Sequence, residues 1–229
     1  MTRTEDLAGA LQALEARLVT ACAAAGRDRA DVTLVAVSKT RPVADVLALR
    51  EHGVRDFGEN RDQEAKQKAR AVPDVRWHFV GSLQTNKARS VASYAAAVHS
   101  VDRAALVDPL AAGARRGGSA LDVFVQVSLD GDPRRGGAAV ADVPALADAV
   151  AGAADLRLLG LMAVAPQEAE PAAAFGLLHE LAVRLRADHP QARWISAGMT
   201  GDLEQALAAG ATHVRVGTAL FGRREPVLR

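Results

Sequence analysis

Short apolar segments alternate with longer amphipathic ones along the chain, and this alternation limits the possible folds more than any other feature. Strands are predicted at residues 32–38, 54–58, 76–80, 97–101, 121–128, 158–164, 194–197 and 213–217. Helical segments between them include residues 42–51, 61–70, 86–96 and 202–209. Strands that alternate with helices indicate a parallel sheet. Eight such units in 229 residues favour an α/β fold, a single closed (β/α)8 TIM barrel.

An additional N-terminal helix is predicted at about residues 5–25, where leucines recur at helical spacing. Only 12 residues follow Gly217, too few for a full closing helix, so we expect the N-terminal helix to cover that side. The alternative is an open doubly wound sheet, but the GxGxxG typical of that fold is absent after the first strand. No linker rich in Pro, Gly or Ser divides the chain, which predicts one domain over residues 1–229.

Composition excludes several classes of protein. The formal net charge of +1 gives no sign of a nucleic-acid partner. Cys22 is the single cysteine, which excludes an internal disulfide and a CxxC metal site and suits a reducing compartment. Charges throughout the first residues indicate neither a signal peptide nor a membrane span. We therefore expect a cytoplasmic protein without metal or membrane partners.

Lysine is rare here, since only four of the 28 basic residues are lysines. One of them, Lys39, ends the first predicted strand, and functional groups of TIM barrels gather at the carboxyl ends of strands. Lysine forms a Schiff base with a carbonyl group, whereas arginine does not. On position alone, however, a solvated charge is the simpler interpretation of Lys39. Lys66 and Lys68, with Arg61 and Arg70, are predicted to form a solvated helix face.

Two strand ends are typical of phosphate-binding loops. Ser196, Gly198 and Thr200 lead from the seventh strand towards a helix, where free N–H groups favour an anion. Gly217 and Thr218 end the last strand, where barrels frequently bind phosphate. Ordinary loop turns remain the alternative for both segments.

An arginine is predicted inside the barrel. In the last strand, Val214 and Val216 share one face, so Arg215 points to the other face and into the barrel. A buried guanidinium needs a partner. A ligand nitrogen, a phosphate or an internal carboxylate would each serve.

Five motifs carry a family resemblance: VAVSKTRP (35–42), FGENRDQE (57–64), WHFVGSLQTNK (77–87), GLMAV (160–164) and the long segment 195–222. They resemble the YggS/PROSC family, the pyridoxal 5′-phosphate (PLP) homeostasis proteins of vitamin B6 metabolism. The resemblance spans residues 35–222. It implies a fold like the N-terminal barrel domain of alanine racemase, without that enzyme's second domain.

The resemblance also implies a cofactor site. Lys39 would bear PLP as a Schiff base, and Asn60 would lie at its ring. Phosphate contacts would come from Ser196, Gly198, Met199, Thr200, Gly217 and Thr218. Arg215 would face the pyridine nitrogen, while His78 and Asn86 receive no definite contact.

A non-catalytic carrier is expected rather than an enzyme. A charged guanidinium at the ring nitrogen disfavours its protonation and makes PLP a weaker electron sink. Racemisation also needs a second proton-transfer group, and the only tyrosine, Tyr94, lies in a predicted helix. His78 is the remaining candidate base. A PLP-dependent amino-acid racemase-like enzyme is the alternative, and a barrel enzyme acting on sugar phosphates is a third class.

The loop after the fifth strand departs from the family pattern. Many members have a lysine where this chain has Arg134 and Arg135. If that lysine is a secondary PLP acceptor, this protein lacks the covalent route, and the arginines would hold phosphate only electrostatically. PLP-dependent apo-enzymes are the expected partners. A monomer is expected, because the family that this chain resembles lacks the racemase's second domain and, with it, the dimer interface.

Overall fold

The computed structural model describes residues 2–132, 135–166 and 168–222. Eight parallel strands form a closed barrel in the order β1-β2-β3-β4-β5-β6-β7-β8, so the predicted TIM barrel is confirmed. The strands are β1 (Thr33–Val37), β2 (Asp56–Glu59), β3 (Arg76–Phe79), β4 (Ala97–Val101), β5 (Leu121–Gln126), β6 (Leu156–Met162), β7 (Trp194–Ser196) and β8 (His213–Val216). β1 closes the barrel by pairing with β8, with Ala36 opposite Val216.

Nine α-helices are found in the described residues. They are α1 (Arg3–Ala24), α2 (Val43–Glu51), α3 (Asp62–Ala71), α4 (Thr85–Val91), α5 (Val107–Gly117), α6 (Val143–Ala151), α7 (Pro171–Asp188), α8 (Leu203–Ala208) and α9 (Thr218–Phe221). The prediction for α4 was too long. Its chain turns where the N–H groups of Ser93 and Tyr94 bond the carbonyls of Ser90 and Val91, so Tyr94 lies in a turn.

Helix α1 covers the side of the barrel next to the short helix α9, as predicted. It starts with a capping box, in which Thr2 and Glu5 exchange side-chain-to-backbone hydrogen bonds. Its contacts are with α2, α8 and α9. Four leucines on one face are buried, and burial of each contributes roughly 1.5 to 3 kcal/mol. They are Leu7, Leu11, Leu14 and Leu18.

Ion pairs hold α1 in place at both ends. Arg3 bonds the Asp45 carboxylate of α2 at 2.6 Å and the carbonyl of Phe221 in α9 at 3.1 Å. Arg17 bonds Glu204 of α8 at 2.5 Å. By length and composition alone α1 is long and apolar enough to cross a membrane. In this fold its leucine face packs on the barrel instead.

Gly160 marks an irregularity in the wall. It has φ +152°, and a Cβ there would lie 1.9 Å from the Trp194 carbonyl oxygen of β7. The register between β5 and β6 also shifts just before it, between Val123 and Phe124. Glycine is therefore required for β6 and β7 to approach closely. β6 itself begins at Leu156, two residues earlier than predicted.

Candidate functional site

The carboxyl ends of four neighbouring strands, β7, β8, β1 and β2, bring the predicted site residues to one end of the barrel. Ser196 is the register partner of His213, Ala36 that of Val216, and Ala36 also that of Phe57. The segments that follow these strands therefore surround one mouth. They contain Lys39, Asn60, Gly198, Met199, Thr200, Gly217 and Thr218.

Lys39 lies in a tight turn at this mouth. Its side chain is exposed, and among the described residues no hydrogen bond or ion pair engages its amine. The next residue, Thr40, has φ +63°, a left-handed conformation that is uncommon for a non-glycine residue. Its N–H is fixed by the Glu64 carboxylate at 2.6 Å, and Arg41 N–H bonds the Ser38 carbonyl at 3.0 Å. Hydrogen bonds therefore hold the backbone of the turn, while the lysine amine is available.

A buried ion cluster lies directly behind this turn. Lys68 of α3 donates to the carboxylates of Glu59 and Glu64, at 2.6 and 2.7 Å, and to the Ser38 carbonyl at 2.7 Å. The Ser38 hydroxyl also donates to Glu59, at 2.6 Å. Burial raises the pKa of Glu59, and the bonds from Lys68 and Ser38 oppose that rise. Lys68 is only 4% exposed, so the predicted solvated helix face was wrong at this residue.

Arg215 points into the barrel interior, as predicted. One terminal nitrogen donates to Ser196 Oγ at 2.7 Å and the other to the Ala163 carbonyl at 3.0 Å. Within the described part of the chain, no carboxylate bonds this guanidinium, so the alternative of an internal ion pair is not found. Burial lowers the pKa of Arg215 to about 10, and the Asp202 charge opposes that change. The group therefore remains charged at neutral pH.

Ser196 lies deeper than its predicted phosphate role requires. It is fully buried, and its Oγ is bonded to both Arg215 and the His99 ring, the latter at 2.7 Å. A hydroxyl has one proton and two lone pairs, so only one lone pair remains, without exposed surface. The structure thus places this side chain beneath the mouth, as a partner of Arg215.

The loop after β7 is the stronger candidate for an anion contact. Gly198 has φ +90°, and a Cβ there would lie 2.7 Å from the Ala206 Cβ of α8. Met199 is 39% exposed, and its N–H donates to the Asp202 carboxylate at 2.6 Å. Thr200 Oγ1 accepts the N–H of Ala219 at 3.3 Å, which ties this loop to the segment after β8.

Gly217 and Thr218 complete that pair of loops. Gly217 precedes α9, and a Cβ there would lie 3.2 Å from the Val37 carbonyl oxygen of β1. Thr218 is the first residue of α9 and is exposed. The predicted phosphate loops therefore meet beside β1, which leads into the turn that contains Lys39.

Asn60 supplies an unpartnered polar atom at the mouth. Its Oδ1 is buried and has no hydrogen-bond partner among the described residues. The backbones of Asn60 and Gly81 approach closely, since a Cβ on Gly81 would lie 2.4 Å from the Asn60 backbone carbonyl oxygen. A buried carbonyl oxygen without a partner is costly, and a ligand would relieve that cost. Asn86, by contrast, is exposed on α4.

The candidate bases for a second proton transfer do not reach the mouth. His78 is buried and bonded to Asp56 and His99 inside the barrel. The Tyr94 hydroxyl donates to Asp62 of α3 at 3.2 Å, and burial together with that carboxylate raises its pKa. His99 is also fully buried inside the barrel, where it is bonded to His78 and Ser196.

The loop after β5 contains the two arginines that stand in place of the family's lysine. Arg134 lies outside the described residues. Arg135 donates to Asp130 at 2.9 Å and to the carbonyls of Val164 and Ala165 at 3.2 and 2.7 Å. It therefore fastens its loop to the segment after β6.

Comparisons with known proteins agree with this architecture. Residues 10–225 match the family described as alanine racemase, N-terminal domain. The pyridoxal phosphate homeostasis protein of Pseudomonas aeruginosa is 46% identical over 215 residues, covering 92% of each chain. The structure of PipY from Synechococcus elongatus PCC7942, described with PLP bound, is 34% identical with a TM-score of 0.78, covering 96% of this chain and 100% of PipY. An alanine racemase from Streptomyces coelicolor A3(2), 20% identical with a TM-score of 0.74, shares the fold over 94% of this chain and 58% of its own.

Proposed function

This chain belongs to the pyridoxal phosphate homeostasis proteins of the alanine racemase N-terminal domain family, and on that premise we propose that it binds PLP at the barrel mouth as a Schiff base on Lys39. Its role is intracellular PLP homeostasis. The observation that carries the proposal is Arg215, a buried and charged guanidinium with no carboxylate bonded to it among the described residues. Such a group is stabilised by a ligand that accepts hydrogen bonds, and the available amine of Lys39 lies at the same mouth.

The groups at the mouth fit PLP part by part. The exposed Lys39 amine is the nucleophile for the aldehyde. Arg215 carries five N–H donors, of which its two hydrogen bonds leave others for the pyridine nitrogen. The unpartnered Oδ1 of Asn60 lies at the mouth, where the ring is placed.

The phosphate is assigned to the two linked loops. Gly198, Thr200, Gly217 and Thr218 present small and hydroxylated residues where an anion approaches backbone N–H groups. The N–H of Met199 donates to the Asp202 carboxylate in this structure. It would contribute to phosphate binding after that hydrogen bond is broken.

The chemistry of Arg215 favours holding PLP over turning over a substrate. PLP supplies a reactive aldehyde and a ring whose capacity as an electron sink depends on protonation of its nitrogen. Arg215 would donate to that nitrogen while it stays charged, which would keep the nitrogen unprotonated. The residue thereby suppresses carbanion formation at a bound amino acid.

Among the described residues, neither candidate for a second base reaches the mouth, which points the same way. Within the described residues, the two candidates, His78 and Tyr94, are bonded elsewhere. Lys39 therefore exchanges the cofactor with other amines, and the carrier is preferred over an amino-acid racemase. We further infer a cytoplasmic monomer, one unit over residues 1–229, that supplies PLP-dependent apo-enzymes.

Titration with PLP tests the binding proposal. We expect a visible absorption band in the wild type and in Lys87→Ala, a control at an exposed lysine of α4. Lys39→Ala should lose that band. A wild-type protein that stays colourless after incubation with PLP would contradict the proposal.

Deuterium exchange separates a carrier from a racemase. The PLP-loaded protein is incubated with L-alanine in deuterated water, with an alanine racemase as positive control. We expect no exchange of the α-proton and no D-alanine above the level of free PLP. Rapid exchange accompanied by D-alanine would establish the enzyme instead.

A further inference from the structure

Five buried polar side chains form a continuous hydrogen-bonded row through the barrel interior. Arg215 Nη1 lies 2.7 Å from Ser196 Oγ, and Ser196 Oγ lies 2.7 Å from His99 Nδ1. His99 Nε2 lies 2.8 Å from His78 Nδ1, and His78 Nε2 lies 2.8 Å from Asp56 Oδ1. The row joins β8, β7, β4, β3 and β2. It connects the charge beneath the mouth to a carboxylate at the start of β2.

The chemistry of the two ends fixes the direction of every hydrogen bond. Arginine only donates, and an ionised carboxylate only accepts. Burial acts to raise the pKa of Asp56, but hydrogen bonds from His78 and Arg76 outweigh it and lower that pKa, so the group is ionised. At the carboxylate end, a neutral His78 donates its Nε2–H to Asp56 and accepts at Nδ1 from His99 Nε2–H, so a neutral His99 accepts the Ser196 hydroxyl at Nδ1. Both histidines must then carry their proton on Nε2 and accept at Nδ1.

The surroundings keep His99 neutral and in one orientation. Its ring stacks on Phe124, with centroids 4.5 Å apart and planes at 30°. Burial is the main cause that holds the pKa of His99 well below its usual value, and the neighbouring groups His78, His213 and Arg215 act in the same direction. Burial also lowers the pKa of His213, whose ring centroid lies 6.0 Å from that of His99, to about 3. A protonated His99 would donate from both nitrogens, which breaks the row.

We propose that His99, with His78 and Asp56, is a positioning relay that orients Arg215 through the Ser196 hydroxyl. The proposal rests on the PLP site above, because the residue that the relay orients is the one that faces the pyridine nitrogen. Without the relay, Ser196 Oγ is free to rotate, and Arg215 keeps only the Ala163 carbonyl as a fixed partner. When the relay is intact, side chains inside the barrel therefore influence the electronic state of the cofactor through the orientation of Arg215.

The relay is tested first on the apo-protein, independently of PLP. Nitrogen-15 NMR of the imidazole rings at neutral pH distinguishes the two neutral tautomers from the charged form. We expect His78 and His99 each to show a protonated Nε2 and an unprotonated Nδ1. A proton on Nδ1 of either ring would overturn the proposal.

Two replacements of His99 then test its link to Arg215. Glutamine also has a donor and an acceptor at its end, so His99→Gln is able to keep the direction of the row, whereas His99→Leu is not. We expect PLP affinity to fall about tenfold or more in the leucine variant and by about threefold or less in the glutamine variant. We also expect the absorption maximum of bound PLP to shift only with leucine. His52→Leu, at an exposed histidine, is the control.

A structural role predicts a different result. If His99 only fills space, leucine and glutamine variants that unfold at similar temperatures will bind PLP alike and with unshifted spectra, and the proposal is then wrong. Failure of the wild type to bind PLP would instead contradict the proposed function, while the tautomers still decide whether the relay exists.

Discussion

Replacement of Lys68 by methionine tests the buried cluster that supports the Lys39 turn. The change removes the three hydrogen bonds of its ammonium group, at 2.6 to 2.7 Å, and leaves Glu59 buried without a counter-charge. Breaking one partner of a buried ion pair typically costs about 3 to 5 kcal/mol. We expect a loss of that size in the free energy of unfolding, measured by urea denaturation with tryptophan fluorescence.

The pH dependence of that loss gives a sharper test. In Lys68→Met the pKa of Glu59, already raised by burial, rises further. A carboxyl group whose pKa is higher in the folded state than in the unfolded state destabilises the protein more as the pH rises. This destabilisation disappears when the pH falls below the pKa of the unfolded state. The deficit of the variant should therefore shrink from pH 8 towards pH 5. Glu59→Gln in the same background should recover part of the loss at pH 8.

The control is Lys66→Met, two residues earlier on α3 and half-buried, for which we expect a change within about 0.5 kcal/mol. The reasoning about the cluster is refuted if both methionine variants lose the same stability. It is also refuted if the loss in Lys68→Met is independent of pH.

Three further predictions follow from the site. First, burial lowers the pKa values of His99 and His213 in the folded state, so acidification from pH 7 to pH 5 should reduce the free energy of unfolding, by about 2 kcal/mol for His213, and His99→Gln should remove the contribution of His99. A stability profile that is flat over this range would contradict their burial as neutral rings. Second, Gly198→Ala should lower thermal stability and PLP affinity together, because φ is +90° and the new Cβ meets Ala206 at 2.7 Å; unchanged affinity would place the phosphate elsewhere. Third, Arg215→Met should shift the absorption maximum of bound PLP, whereas an unshifted spectrum would remove Arg215 from the ring nitrogen.

The strands and the glycine-rich mouth were predictable because their signals are local. Apolar runs defined eight strands, and the alternation of Val214, Arg215 and Val216 placed the guanidinium inside the barrel. The N-terminal helix was also found, since its leucine spacing needs only one face to be buried.

The partners of the site were harder to predict because they lie on separate elements. Lys68 resembles a surface charge within its own helix, and its burial depends on Ser38, which follows β1, and on Glu59 at the end of β2. His78 and His99 lie 21 residues apart and meet only when β3 pairs with β4. Their inward-facing positions on successive strands were the signal available in the sequence. Ser196 was assigned to phosphate because its motif is contiguous with Thr200, whereas its hydroxyl points into the barrel.

Borohydride reduction followed by peptide mapping tests the central claim most directly. The protein is incubated with PLP, reduced, digested and analysed by mass spectrometry, so that each of the four lysines is examined separately. We expect the reduced PLP adduct on the peptide that contains Lys39 and none above background on Lys66, Lys68 or Lys87. An unmodified Lys39 in a protein that has bound PLP would contradict the account.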